Sequence, residues 1–165
     1  MIREAKLQDS EAIAEIIVET WKSAYTGIID TNYTDNLDKR RFVQIMTNNL
    51  QQKKETIFIY EENEIVKGFI SGKFIDNDYQ CEIVGFYVLP KYQQIGIGSK
   101  LFQHMKKYFS EHNCHKIILW TLKGAKNNSF YENNGGKIAA EKILKIGDKE
   151  YAGVGFLFNL HPVAN

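Results

Sequence analysis

Helical and strand periodicities alternate along the whole chain. Apolar residues recur every three or four positions in segments that begin near residues 10, 38 and 97, which is the spacing of one helix face. Runs of β-branched and aromatic residues, bounded by turns rich in Asn, Asp and Gly, are typical of strands. We predict helices over about 10–24, 38–50, 97–109 and 127–133, and strands over about 1–5, 56–60, 65–74, 81–89, 116–120, 137–146 and 149–159.

The order of these elements predicts a mixed α/β fold. Two helices precede an antiparallel meander, which is followed by one strand–helix–strand crossover and two final strands. In the second helix we expect Phe42, Ile45 and Met46 to face inward. No linker, repeat or change of composition divides the chain, so we expect one domain over residues 1–165.

Composition and charge narrow the class of protein. Hydrophobic residues make up 44% and charged residues 25% of the chain, and the formal net charge is +1. These values are typical of a globular protein, and so small a charge disfavours nucleic-acid and membrane-surface partners. The first residues contain no apolar targeting segment, and no run approaches the ~18 apolar residues of a transmembrane helix. We therefore expect a cytoplasmic protein.

The cysteines and histidines predict neither a disulfide framework nor a metal site. Cys81 and Cys114 are the only cysteines, and two cysteines do not make a framework. We interpret Cys81 as a small packing residue. Cys114 lies close to His112 and His115 in sequence, but no carboxylate or second cluster completes four ligands.

A glycine-containing turn between a predicted strand and a predicted helix is the strongest local motif. It contains Gly96 and Gly98. Unpaired amides at a helix amino terminus form an anion site that suits phosphate, and glycines let the phosphate approach the backbone. The order Gly98-Ser99-Lys100 does not fit a P-loop, and Leu101 stands where a dinucleotide-binding motif needs a third glycine. The alternative is a plain turn, because two glycines alone are a weak motif.

Several segments resemble the GNAT acetyltransferase superfamily, and the resemblance covers roughly residues 1–160. Gln93-x-x-Gly96-x-Gly98 resembles the pyrophosphate turn of that family, and residues 86–92 resemble the strand that leads into it. Residues 130–136, Phe-Tyr-Glu-x-x-Gly-Gly, resemble the second family motif, on the helix after the fifth strand. Residues 21–27 resemble the first helix of many bacterial members.

The resemblance implies the GNAT acyl-CoA N-acyltransferase fold, a mixed α/β fold with a central, mostly antiparallel sheet of about seven strands and about four flanking helices. It also implies that the cosubstrate acetyl-CoA binds in a V-shaped cleft between splayed strands. Backbone groups of residues 86–88 would bind the pantetheine arm and the thioester carbonyl, and the amides of residues 94–99 would bind the pyrophosphate. The implied cofactor-binding residues are Phe86, Tyr87, Val88, Gln93, Gln94, Ile95, Gly96, Ile97, Gly98, Ser99 and Asn127.

The chain departs from the family pattern at two places. Many members carry an Asn about six residues before the tyrosine of the second motif, where this chain has Ala125. Asn127 or Asn128 would take over its contact. Many members also carry a basic or small residue at the positions of Gln94 and Ile95, so here the phosphate would rely more on backbone amides.

Acetyl transfer to an amine needs a base for the amine and an acid for the departing thiolate. The resemblance places Tyr131 at the sulfur, and a tyrosine with a pKa near 10 is protonated and able to donate. Glu82 is the candidate base, because it lies fourteen residues before Gly96, as the base does in histone acetyltransferases of the superfamily. Strand alternation places Glu82 on the same face as Phe86 and Val88. The alternatives are that Tyr131 only packs its helix on the sheet and that Glu82 is a surface residue.

The sequence says less about the residues that bind the acceptor amine. Trp21 and Tyr25 flank the first inter-helix segment, which in the family covers the acceptor, and an aromatic lining can hold a cation. For Trp21 the core is the favoured interpretation, because it lies on the apolar face of the first helix. The apolar last strand either packs in the core or joins the sheet of a partner in a homodimer.

We therefore predict an acetyl-CoA-dependent N-acetyltransferase that acts on a primary amine of a small molecule, a polyamine or a peptide. Neither cysteine has a predicted His–Asp partner, so direct attack in a ternary complex is preferred to a covalent intermediate. Two alternatives stay open: a non-catalytic coenzyme A sensor or regulatory module with this fold, and an acyltransferase that uses another acyl-CoA.

Overall fold

Seven strands form one sheet in the computed structural model, which describes residues 1–161. The strands are β1 (Ile2–Glu4), β2 (Thr56–Glu62), β3 (Ile65–Phe74), β4 (Cys81–Val88), β5 (Lys116–Leu122), β6 (Lys137–Ile146) and β7 (Lys149–Asn159). Their order across the sheet is β1-β2-β3-β4-β5-β7-β6, and every neighbouring pair is antiparallel except β4 and β5. The predicted fold class, a mixed α/β fold with a mostly antiparallel sheet, is confirmed.

Five helices accompany the sheet. They are α1 (Ser10–Ala24), α2 (Thr31–Asp35), α3 (Lys39–Gln52), α4 (Ile97–Glu111) and α5 (Asn128–Asn133). The expectation of about four helices missed α2, which has 5 residues and is too short to show a repeating apolar face. Its start is set by Asp30, whose carboxylate accepts from the Asn32 amide at 2.9 Å. Within residues 1–161 no helix is long and apolar enough to cross a membrane.

Each face of the sheet has its own apolar core. α1 and α3 cover one face, where Ile13, Ile57 and Ile59 are buried. α4 covers the other face, where Leu101 and Phe102 are fully buried. Because each helix carries its apolar residues on one side, it buries that side and leaves its polar residues in water.

The last strand lies inside the sheet rather than at its edge. β7 pairs with β5 on one side and with β6 on the other. Both of its edges are therefore used, so of the two expectations for this strand the core is correct. Extension of a partner's sheet by β7 is excluded, because it would need an unpaired edge.

Cys81, the first residue of β4, lies directly against Cys114, in the loop before β5, and their two sulfur atoms are in contact. Both residues are buried in the core beneath α4, and their Cα atoms are 6.4 Å apart. The interpretation of Cys81 as a small packing residue is confirmed, because it is 0% exposed in this core. The two cysteines are 33 positions apart in the sequence, and only the parallel pairing of β4 with β5 brings them into contact.

β4 and β5 diverge after a short parallel segment. They pair only between residues 81–83 and 117–119, although β4 continues to Val88 and β5 to Leu122. The edge of β4 over residues 84–88 is therefore not hydrogen-bonded to β5. This divergence opens a V-shaped cleft in the middle of the sheet.

A bulge in β4 accompanies the divergence. On the side of β3, Ile83 pairs with Gly72 and Gly85 pairs with Ser71, so Val84 has no partner. An extra residue of this kind bends its strand and shifts the alternation of its side chains. The bend moves the second half of β4 away from β5.

Candidate active site

The V-shaped cleft is lined mainly by aromatic side chains. It contains a small cavity of about 20 Å³, enough for roughly one water molecule. The cavity brings together residues of β4, β5, α5 and the end of α1, including the predicted site residues Tyr25 and Tyr131. Its lining residues are Tyr25, Ile83, Val84, Phe86, Tyr87, Leu119, Trp120, Thr121 and Tyr131.

Beyond β4 the chain makes a turn with a row of unpaired backbone amides. Gly96 caps α4 with φ +88°, and Gln94 has φ +63°. The Lys100 amide donates to the Gly96 carbonyl at 3.1 Å, but in the described part of the chain nothing accepts from the amides of residues 94–99. Because no side chain caps this helix, its amino terminus is open to an anion.

Side chains fix this turn at both ends. Nε2 of Gln93 donates to the carbonyl of Val88 at 2.9 Å, which ties the turn to the end of β4. Ile97 anchors the start of α4 in the core, where it is 3% exposed. Ile95 between them is 64% exposed. Gln93 thus acts within the protein through its side chain, and the remaining residues of the turn present their backbone.

Three lysines that were not predicted surround the turn. Nζ of Lys67 and Nζ of Lys91 lie 4.6 and 5.0 Å from the centre of the Tyr92 ring, which precedes the turn. Lys100 is the fourth residue of α4. Lys67 is paired with Glu62, so the positive charge near the turn comes mainly from Lys91 and Lys100. Lys67 could not be predicted, because only strand pairing brings β3 to this place.

The hydroxyl of Tyr131 lies in the cleft and has a defined hydrogen-bond partner. Tyr131 is 4% exposed, and Nδ2 of Asn127 donates to its Oη at 3.3 Å. Burial raises the pKa of Tyr131 above its ordinary value, Tyr87 adds to the rise, and the bond from Asn127 opposes it. A tyrosine with a raised pKa is protonated at neutral pH and can act as an acid.

Two adjacent asparagines at the start of α5 have different surroundings. Oδ1 of Asn128 accepts from Oγ1 of Thr121 at 3.2 Å, and its Nδ2 donates to the carbonyl of Leu122 at 2.9 Å. Asn127 uses its Nδ2 on Tyr131, and its Oδ1 is buried with no partner among residues 1–161. Asn128 therefore fastens α5 to β5, whereas Asn127 has an unused acceptor.

Aromatic residues close the cleft on the side of α1. Nε1 of Trp21 donates to Oη of Tyr87 at 3.3 Å, and the rings of Trp21 and Tyr25 are 5.1 Å apart. Burial raises the pKa of both Tyr25 and Tyr87, so both hydroxyls keep their protons at neutral pH. Trp21 is half-buried and packs against the core, and it also orients the hydroxyl of Tyr87.

Glu82 lies on the face of β4 that carries Tyr87. The expectation that Glu82 shares a face with Val88 was wrong, because the unpaired Val84 shifts the alternation by one residue. The Glu82 carboxylate lies 3.6 Å from Nζ of Lys73 on β3, and it does not line the small cavity. A base at this position would reach an amine in the cavity through a water.

A larger cavity of about 520 Å³ opens between the segment that contains α2 and α3 and the hairpin of β6 and β7. An ion pair of 2.5 Å between Lys149 and Asp30 joins its two sides. Ile45, expected to face inward, is 38% exposed and lines this cavity. The Tyr33 ring connects the cavity to Trp21, 6.4 Å away. The lining residues are Asp30, Asn32, Tyr33, Asn36, Leu37, Asp38, Arg41, Phe42, Ile45, Ile146, Asp148, Lys149 and Tyr151.

A family comparison identifies this arrangement of cleft, turn and tyrosine. The model of the acetyltransferase (GNAT) family matches residues 13–135, which is more than half of the chain and includes all three features. The chain belongs to the GNAT acetyltransferase family. It is an acetyl-CoA-dependent N-acetyltransferase, as the sequence predicted.

Relatives in the GNAT family are similar over most of their length. The N-acetyltransferase YuaI of Bacillus subtilis is 26% identical over 157 residues, which are 93% of this chain and 90% of the relative. A spermidine N(1)-acetyltransferase of Thermoplasma acidophilum is 25% identical over 144 residues, which are 83% of this chain and 88% of the relative.

Solved structures of GNAT proteins have the same fold. PaiA N-acetyltransferase of Thermoplasma acidophilum, in complex with coenzyme A, has a TM-score of 0.73 at 22% identity and covers 93% of this chain and 96% of its own. YncA of Salmonella typhimurium, with its cofactor acetyl-CoA, has a TM-score of 0.70 at 20% identity and covers 100% of this chain and 96% of its own. Family membership does not assign the roles of single residues, which therefore stay predictions for this GNAT protein.

Proposed function

We propose that this GNAT enzyme transfers the acetyl group of acetyl-CoA to a primary amine of a small molecule, a polyamine or a peptide, by direct attack in a ternary complex. The observation that carries the proposal is the position of Tyr131. Tyr131 is buried and lines the small cavity of the cleft together with Tyr25 and Tyr87, and burial keeps its hydroxyl protonated. This is the place for an acid that protonates a leaving group.

The polar groups of the cleft fit the cosubstrate. The amides of residues 94–99 would hold the pyrophosphate, because they are unpaired at a helix amino terminus. Residues 86–88 would hydrogen-bond the pantetheine arm, because this edge of β4 has no partner on β5. When bound, acetyl-CoA supplies an acetyl thioester that an amine can attack.

Residues in and beside the cleft would account for each proton of the reaction. An ammonium group with a pKa near 10.4 costs about 4–5 kcal/mol to deprotonate at pH 7, so a base is needed. Glu82 remains the predicted base and would accept this proton through a water. A backbone amide of residue 86 or 87 would stabilise the oxyanion, a contribution of about 3–4 kcal/mol. Tyr131 gives its proton to the sulfur as the carbon–sulfur bond breaks, and solvent then reprotonates Tyr131.

The two cavities support an extended amine as acceptor. The small cavity has rings of tyrosine and tryptophan that can hold an ammonium group by cation–π contact. The larger cavity has room for the rest of an extended molecule, and Asp148 at its rim suits a second positive charge, whereas Asp30 and Asp38 are already paired with Lys149 and Arg40. The spermidine N(1)-acetyltransferase of Thermoplasma acidophilum supports a polyamine within this class.

The cellular location and the oligomeric state of the protein are predicted from the sequence alone. We keep the prediction of one cytoplasmic domain over residues 1–165 that binds neither nucleic acid nor a membrane. A homodimer also remains a prediction, with an interface other than the paired strand β7.

Replacement of Tyr131 by Phe tests the proposal. A panel of primary amines, polyamines and peptides is first screened for thiol release from acetyl-CoA. With the best acceptor, we expect Tyr131→Phe to lower kcat by about 100-fold or more, because the acid is lost. The affinity for coenzyme A, measured by titration calorimetry, should change by less than about threefold, because the ring stays in place.

Three results would overturn the proposal. An unchanged kcat of Tyr131→Phe would show that Tyr131 is not the acid. If no amine leads to thiol release although coenzyme A binds tightly, the alternative of a non-catalytic coenzyme A sensor is favoured instead. Thiol release that is faster with longer acyl-CoA substrates than with acetyl-CoA would favour the alternative of an acyltransferase that uses another acyl-CoA.

A further inference from the structure

The carboxamide of Asn127 is hydrogen-bonded at one end only. Its Nδ2 donates to Oη of Tyr131 at 3.3 Å, whereas its Oδ1 is buried with no partner in the described chain. A buried acceptor without a donor costs about 1–3 kcal/mol, so such an atom next to the cavity-lining Tyr131 calls for a ligand. The pantetheine arm of the cosubstrate carries amide N–H groups that can pair with it.

We propose that Asn127 is a positioning residue that turns the proton of Tyr131 toward the cleft and at the same time accepts a hydrogen bond from the pantetheine arm. The inference rests on the proposed role of Tyr131 as acid. A phenol oxygen has one O–H and can accept on its other side. Because Nδ2 occupies the accepting side, the O–H of Tyr131 is directed away from Asn127.

The backbone holds the two residues at this distance. Asn127 is the N-cap of α5, and Tyr131 lies four residues later, where side chains of a helix meet. The rings of Phe86, Phe130 and Phe156 surround Tyr131, with centroids 5.4–6.5 Å from its own. These rings can neither donate nor accept a conventional hydrogen bond, so Asn127 decides the direction of the hydroxyl.

The other titratable groups near Tyr131 do not compete for its proton. They are Tyr87 of β4 and Tyr25 at the end of α1, and burial raises the pKa of both. Both are therefore neutral at the pH of the reaction. Tyr87 also accepts from Nε1 of Trp21 at 3.3 Å, which fixes its hydroxyl elsewhere.

Asn127→Asp separates the two functions of the carboxamide. The aspartate has the same shape and keeps an acceptor for the pantetheine arm, but its second oxygen cannot donate to Tyr131. An ionised carboxylate would instead accept a hydrogen bond from the O–H of Tyr131 and turn this O–H away from the cleft. We expect kcat to fall about 30-fold or more at pH 8, and the affinity for coenzyme A in titration calorimetry to change by less than about threefold.

The pH profile distinguishes positioning from a structural role. An ordinary aspartate has a pKa near 3.9, and burial raises it. Once protonated, the carboxyl group of Asn127→Asp can again donate to Tyr131. The ratio of its kcat to that of the wild type should therefore rise as the pH falls from about 8 to about 5. A ratio that does not depend on pH would overturn the positioning role.

Two further variants complete the test. Asn127→Ala removes both ends of the carboxamide, so it should weaken coenzyme A binding as well as lower kcat; unchanged binding would overturn the contact with pantetheine. Asn128→Asp makes the same chemical change one residue away, at a side chain bound to Thr121 and Leu122. It should lower the temperature of thermal unfolding and leave kcat within about threefold of the wild type.

The inference and the proposed function fail separately. If Tyr131→Phe keeps its turnover, the assignment of Tyr131 as the acid is wrong. If Tyr131→Phe loses its turnover but Asn127→Asp keeps it, the proposed function stands and the role of Asn127 is wrong.

Discussion

The two sides of the cleft use different chemistry to meet their ligands. On the cofactor side, which comprises β4, the turn of residues 93–98 and the start of α4, the groups available to a ligand are backbone amides. On the proposed acceptor side, which comprises the segment from α1 to α3 and the hairpin of β6 and β7, they are side chains such as Asp148 and Tyr33.

This difference explains what distant relatives can share. Every sequence has the same backbone amides, so a turn with the correct conformation is enough to bind a diphosphate. The fold that makes this turn is kept in YncA at 20% identity. Side chains, unlike backbone amides, differ with the sequence, so we expect each member to recognise its own amine on the acceptor side.

A negative charge at the open helix terminus should have the largest effect on the cofactor side. Ser99 is the third residue of α4, and an acidic side chain at this position can reach back to the N-cap amide. In Ser99→Glu this carboxylate would occupy and repel the anion site. We expect coenzyme A to bind about 100-fold more weakly in titration calorimetry, which corresponds to about 2.7 kcal/mol.

The matched control is Ser99→Gln, which has the same shape without the charge. It should lose less than about tenfold in affinity. Ser99→Glu should also be at least as stable as the wild type in thermal unfolding, because acids favour a helix amino terminus. Equal affinities of the two variants would mean that no anion binds there.

A smaller effect on the cofactor side is expected from Gly96→Ala. Gly96 and Gly135 both have φ +88° with no atom within 4 Å of an added Cβ, so they are a matched pair. Alanine at either position should cost about 1–2 kcal/mol of unfolding free energy, because this conformation is strained for an L-residue. Only Gly96→Ala should also weaken coenzyme A binding, by about tenfold. Equal binding by the two variants would show that the Gly96 turn is not part of the site.

The smallest effect is expected on the acceptor side. Lys149→Met breaks the ion pair with Asp30 that joins the two sides of the larger cavity. We expect the KM of the best amine to change about three- to tenfold, with the affinity for coenzyme A unchanged. Lys107→Met, which breaks the pair with Glu111 on α4, is the control and should change neither value. An unchanged KM for Lys149→Met would mean that the acceptor amine does not bind in this cavity.

Local patterns explain why the cofactor side could be predicted from the sequence. Gly96 and Gly98 lie between a strand and an amphipathic helix. About twenty consecutive residues contain the whole pattern of strand, turn and helix. Tyr131 followed from its family motif, and the structure brings it into the same cleft. The strand limits of β3, β6 and β7 agree with the prediction, because turns mark their ends.

What could not be predicted depends on contacts between distant residues. The unpaired Val84 changes the face of Glu82, and only the pairing with β3 reveals it. The choice between Asn127 and Asn128 depends on whether Thr121 and Leu122 of β5 already use the carboxamide. The larger cavity was missed because it forms between α2 and a hairpin more than a hundred residues later.

The central claim is that the unpaired amides of residues 94–99 bind the pyrophosphate of the cosubstrate. Titration calorimetry of the wild-type enzyme with coenzyme A and with pantetheine, which lacks the pyrophosphate, tests it most directly. The account predicts that coenzyme A binds at least about 100-fold more tightly than pantetheine, and that Ser99→Glu removes most of this difference. Equal affinities for the two compounds, or no heat from coenzyme A at about 1 mM, would contradict it.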